Sequence, residues 1–158
     1  MNTRNLKLHD WLKLRVGLIL VDIKALVFVF EGKPDMNAPF SISLCFEGIL
    51  SDCQITTSPD GSTLHLKHKP LEPIDMKELG SGGIFNLSNI VPFKRVIGRR
   101  LKQICSIYSN HENQEIGARL VFGGNAELVL INNGDELKFF DKIPSIIWKE
   151  GDLSYFNI

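Results

Sequence analysis

The chain has 158 residues, 44% of them apolar, which suffices for one well-formed core and would be cramped for two domains. Lysine plus arginine equal aspartate plus glutamate at 18 each, so no global field draws the chain to nucleic acid or to an anionic membrane. Three cysteines, Cys45, Cys53 and Cys105, form an odd set without a C-x-x-C pair, which argues against a disulfide framework or zinc knuckle and for buried free thiols.

The lead MNTRNLKLHDWLKLR is polar throughout and lacks an apolar core followed by a small-residue cleavage site, so a cytoplasmic protein without a secretory signal is expected. Leu8, Trp11, Leu12 and Arg15 stand at helical spacing and predict one short amphipathic helix that lids a sheet. From Val16 to Phe30, β-branched and aromatic residues favour strand, with Asp22 and Lys24 marking a turn or an edge. The apolar run is too short and too interrupted to cross a membrane. Glu31 to Pro39, EGKPDMNAP, reads as a loop.

Ile42, Leu44 and Phe46 alternate with Ser41, Ser43 and Cys45, a half-buried strand of period two. Residues 53–58 alternate likewise, SPDGS follows as a turn, and Leu64 and Leu66 point inward from the next strand. Lys69 to Gly83 carries prolines and the glycine cluster GSGG, so a mobile excursion is predicted there. Ser88 or Asn89 is expected to cap a short helix through Val96, ended by Gly98, before a strand with Leu101, Ile104 and Ile107. In RLVFGGNAELVLINNGDELKFF, residues 119–140, three strands are separated by a glycine turn and by a two-residue turn at Asn133-Gly134. The tail predicts a final hairpin around Glu150 and Gly151.

Residues 41–66 and 117–140 echo one another: an apolar alternating strand ending in Phe-x-Gly, a second strand, a glycine turn, a third strand. Hairpin physics and duplication both produce such a likeness. Nine or ten strands with two short helices define the expected class, α+β but mainly β. The expected architecture is an antiparallel β-sandwich or half-barrel of meanders forming a single domain over 1–158.

Candidate chemistry is sparse. His65 and His68, three apart in a strand, point to opposite faces and cannot chelate one ion, while His9 and His111 read as surface. GSGG lacks the Lys-Ser/Thr of a phosphate loop, and Ser81 has no marked neighbouring base. Lys94, Arg95, Arg99, Arg100 and Lys102 place five positive charges in nine residues, yet with Phe93 as the only near aromatic they read as a solvated junction. From His111 to Ile158 there are eight acids and four bases, a local charge of minus four, interleaved with Trp148, Tyr155 and Phe156. Alternation cannot bury both Tyr155 and Phe156, so an aromatic is expected beside carboxylates. Asp135 and Glu136, strand neighbours facing opposite ways, cannot act as a catalytic pair.

VIGRRLKQICSIYS followed by IGARLVFGGNAELVLINNGDEL resembles the immunity proteins of bacterial polymorphic toxin and contact-dependent inhibition systems, over the last third of the chain. That resemblance implies a cytoplasmic, non-enzymatic protein that binds and blocks a toxin domain, often a nuclease. An acid and aromatic surface suits such a basic partner. The expected interface residues are Glu127, Asp135, Glu136, Asp141, Trp148 and Asp152, the acids steering and the Trp anchoring; no cofactor or metal is expected, and no membrane partner. A second reading is a ligand-binding or enzymatic β-domain lidded by the 69–83 loop, and a third is nucleic-acid binding through 94–102.

Overall fold

A computed structural model describes residues 6–50 and 52–158; the polar lead at residues 1–5 lies outside them. The mainly-β reading holds, with two α-helices and, among the described residues, eleven strands rather than nine or ten.

Helix α1, Leu8–Lys13, forms where the helical spacing predicts it and buries Leu8, Trp11 and Leu12. It plugs one end of the two-sheet body, touching a strand from each sheet. Strands β1 (Leu20–Phe30), β2 (Lys33–Phe46), β3 (Gln54–Thr57), β4 (Leu64–Lys67), β5 (Ile74–Asp75) and β6 (Ser81–Asn86) make one antiparallel sheet in the order β4-β3-β2-β1-β6-β5. Strands β7 (Leu101–Ser109), β8 (Gln114–Phe122), β9 (Glu127–Asn133), β10 (Glu136–Phe140) and β11 (Leu153–Asn157) make the other, in the order β10-β9-β8-β7-β11. Ile23, Ala25 and Ile42 from the first sheet and Leu120, Leu128 and Leu130 from the second share one core. A smaller cluster on the second sheet, including Ile107, Val129 and Leu153, packs against Ile147 and Trp148 of helix α2, Ser145–Gly151.

The two halves have the same topology. Each is a four-strand meander whose first strand takes a later strand on its free side: β6 beside β1, and β11 beside β7. The sequence echo falls on equivalent strands, so the turn between β3 and β4 corresponds to that between β9 and β10.

Several expectations are corrected. Asp22 and Lys24 mark neither turn nor edge: they lie inside β1, which is paired on both sides. Asp22 is tolerated there because its Oδ1 accepts from Ser88 Oγ at 2.6 Å and Asn86 Nδ2 at 2.7 Å. The expected 31–39 loop shrinks to Glu31-Gly32, whose φ of 51° and 75° make the tight turn, and Lys33 to Pro39 continue as bulged strand. Ser88 caps no helix, since it donates to Asp22; residues 89–98 instead run through turns with one 3-10 turn, Phe93–Arg95. Glu150 and Gly151 end α2 instead of turning a hairpin.

The 69–83 segment, expected as an excursion, carries regular structure: β5, a 3-10 turn at Lys77–Leu79 and the start of β6. The chain leaves β4 at one edge of the first sheet and re-enters as β5 at the other. Gln54, buried on β3, pins it by donating through Nε2 to Lys69 O and Pro70 O, each at 3.1 Å. GSGG then opens β6, where Gly82 and Gly83 let the strand lie close to Ile74, Leu26 and Val29.

Candidate partner-binding cleft

At one end of the body the turns of both halves meet. A Cβ on Gly61, in the β3–β4 turn, would collide with the Asp135 carboxyl, whose Cγ would lie 2.8 Å away. The β9–β10 turn is therefore seated on its counterpart. Its register pairs Asn133 with Glu136, so the two-residue loop is Gly134-Asp135, with φ of 62° and 66°, and not Asn133-Gly134. Sliding a tight turn by one residue changes every pairing by two, which leaves each side chain on its own face. Leu137 and Phe139 accordingly still point at the core.

Beside these turns opens a cleft of about 490 Å³, closed on its other sides by the β7–β8 turn and the end of α2. Ser109 Oγ donates to Gly151 O at 2.8 Å and Asn110 Nδ2 to Asp152 O at 2.8 Å, fastening those two walls together. Asp60, Glu112, Asp135 and Glu150 line the cleft, and among the described residues no lysine or arginine does. Hydrogen bonds from Ser58 Oγ, Ser62 Oγ and Ser62 N hold the Asp60 carboxyl down at about 2, so it is charged at any physiological pH.

The expected interface residues disperse. Asp135 lines the cleft, with Glu136 exposed next to it and ion-paired to Lys138 at 2.9 Å. Asp152 caps α2 in the left-handed region, with φ of 46°, next to the cleft wall. Glu127 is tied to Arg119, whose guanidinium stacks over Tyr155, 4.7 Å from the ring centroid; Tyr155 in turn meets Trp148 edge-on, with ring centroids 4.9 Å apart. Glu127 and Trp148 thus share one polar-aromatic chain on the second sheet, in which Trp148 is half-buried and Phe156 and Tyr155 are exposed. Asp141 is paired with Arg95, which joins the acidic region to the basic segment. Asp60, Glu112 and Glu150 were not expected: Asp60 lies in the other half of the sequence, and only the equivalence of the two turns points to it.

Two arrays look catalytic and are not wired for attack. Ser106 donates to Glu115, and Glu115 Oε1 meets His9 Nδ1 at 2.8 Å, so the carboxylate stands between hydroxyl and imidazole and His9 cannot take the serine proton. His9, expected at the surface, spans this acid and Gly117 O at 3.2 Å, and so fastens α1 to the second sheet. The Cys53 thiol lies 3.6 Å from His68 Nδ1, but burial and the adjacent Asp52 push it up to about 11, which keeps it protonated. Among the described residues no group of three His, Cys, Asp or Glu side chains could hold a metal ion.

The Glu115 contact has a pH signature. Burial raises its pKa, but hydrogen bonds from His9 and Ser106 outweigh this and hold it below its ordinary 4.5. A depressed carboxyl stabilises the fold above its unfolded pKa and ceases to do so as pH falls through the folded one. Glu115→Gln is therefore expected to unfold earlier than the parent at pH 6–7, with the gap closing below about pH 4. Urea midpoints across that range measure it, and a gap independent of pH would refute the assignment.

Three of the five residues in the basic cluster are already engaged within the fold. Arg95 pairs with Asp141, Arg99 donates to Arg95 O and Gly123 O at 2.8 and 2.9 Å, and Arg100 donates to Gly17 O.

Fold and site together define a mainly-β scaffold of two antiparallel sheets with an acidic cleft at the tips of its turns. No protein-family model, no curated protein and no solved structure matches the chain.

Proposed function

We propose that this is a non-enzymatic binding protein that neutralises a partner, and that the partner is a toxin domain with a basic surface, such as a nuclease. The observation that carries the reading is the meeting of Asp60, Glu112, Asp135 and Glu150 around one cleft without, among the described residues, a compensating lysine or arginine. A nuclease is basic where it grips phosphate, and an acidic surface competes for those same groups. The resemblance of residues 96–137 to immunity proteins points the same way. Action in the cytoplasm belongs to this proposal; among the described residues no helix is long and apolar enough to cross a membrane. The competing reading, a ligand-binding or enzymatic β-domain lidded by the 69–83 loop, is less favoured because Gln54 ties Lys69 O and Pro70 O at the start of that segment.

The test is recovery of the partner from the native cell extract on immobilised protein. Asp135→Lys with Glu136→Lys should weaken capture of a basic protein by about 10–100-fold and flatten its salt dependence. Equal recovery by parent and variant at every salt concentration would overturn the proposal.

A further inference from the structure

Asn132, the penultimate residue of β9, is only 6% exposed and lines the acidic cleft. Half of its amide is satisfied: Nδ2 donates to Gly61 O at 2.5 Å, while Oδ1 is buried without a hydrogen-bond partner. A buried acceptor left alone is costly, and a ligand that supplies the missing donor would remove that cost. All three bonds to Asp60 end on Oδ1, leaving its second oxygen to face other donors. Ile147 and Leu153 supply an apolar wall to the same cleft.

We infer that the cleft is a pocket for one arginine side chain of the partner, the methylenes lying on Ile147 and Leu153 and the guanidinium donating to the surrounding carboxylates and, as the Asn132 amide swings out of its burial, to Oδ1. A guanidinium fits better than a metal ion because its five N–H donors fan outward to separated acceptors, whereas these acids do not converge on one point. The fixed charge of Asp60 and the closeness of Asp135 to Gly61 place negative potential at the joint of the two turns. This pocket rests on the partner-binding reading but is tested without the partner.

The probe is Nα-acetyl-L-arginine amide titrated into the ¹⁵N-labelled protein, with the citrulline analogue, equal in shape and uncharged, as control. The arginine compound should shift the Asn132 side-chain amide and the Gly61 and Gly134 backbone amides saturably, in the millimolar range. Asp60→Asn with Asp135→Asn should weaken that binding at least about tenfold. No saturable shift, equal shifts with citrulline, or indifference to the double variant would each overturn the inference. Probe binding with no basic protein captured from extract leaves the pocket standing and removes the toxin reading; capture with a silent probe does the reverse.

Discussion

Gly117→Ala is expected to lower stability by about 3 kcal/mol or more, the largest effect of any single methyl added to this chain. Gly117 lies inside β8, with Ile107 opposite on one side and Ile131 on the other. A Cβ there would strike Leu130 O and lie 2.8 Å from Ile131 Cα, both backbone atoms of the neighbouring strand. Backbone inside a ladder cannot rotate aside as a side-chain tip can, so β8 and β9 must separate locally. Both strands line the main core and the smaller cluster, so the damage reaches both. Gly123→Ala is the control, because its Cβ would meet only Lys102 Cε at 3.9 Å, and it should change stability by less than about 0.5 kcal/mol. Urea denaturation measures both, and parity between the two variants would show that β8 and β9 are not so closely apposed.

Trp11→Ala is expected to cost about 3–5 kcal/mol and to release α1. A helix of six residues has no stability of its own, so its docking depends on what it buries. Trp11 is the largest buried side chain of that helix; it meets Phe46 edge-on at 6.3 Å between centroids and carries the Arg15 guanidinium 4.1 Å above its ring. Leu8, Leu12 and the His9 contacts to Glu115 and Gly117 then remain to hold the helix. Limited proteolysis should cut the variant after Lys13 or Arg15 while the parent resists. An uncut variant, or a loss below about 1 kcal/mol, would show that the helix is held by something else.

What was legible in the amino-acid order was what side-chain period controls. The alternation of Leu64 and Leu66 and the helical spacing of Leu8, Trp11 and Leu12 appear in the fold as read, because each depends only on which face a neighbour occupies; Ile42, Leu44 and Phe46 are buried as expected, but Ser41 and Ser43 opposite them are buried too, so that strand is covered on both faces. What was misread depends on partners distant in the chain. GSGG looks like a flexible loop by composition, yet in β6 small residues allow close approach to β1 and β5. Asp22 looks like a strand breaker until Ser88 and Asn86, more than sixty residues on, donate to it. Lys69 to Pro73 looks free until Gln54 holds two of its carbonyls.

The cleft was half legible for the same reason. Charge counting located Asp135 and Glu150 in an acidic C-terminal third, but a count along the chain cannot show that Asp60 joins them. The pattern echo held that information, since equivalent turns of two similarly built halves can abut, but it showed a likeness without a geometry. Counting also overstated Asp141 and Glu127, whose charges Arg95 and Arg119 offset.

The seating of one turn on its counterpart gives the scaffold a particular tolerance of change. Every acid of the cleft stands in or beside a connection between regular elements, where substitution disturbs no ladder and buries nothing new. Gly61 and Gly134 hold the backbone in place together with Asp60, tied to Ser58 and Ser62, and Asp135, at a left-handed φ of 66°, which leaves the exposed Glu150 the freer to vary. If this end of the molecule binds a partner as proposed, what it binds can be altered residue by residue while the strands of the two sheets stay as they are.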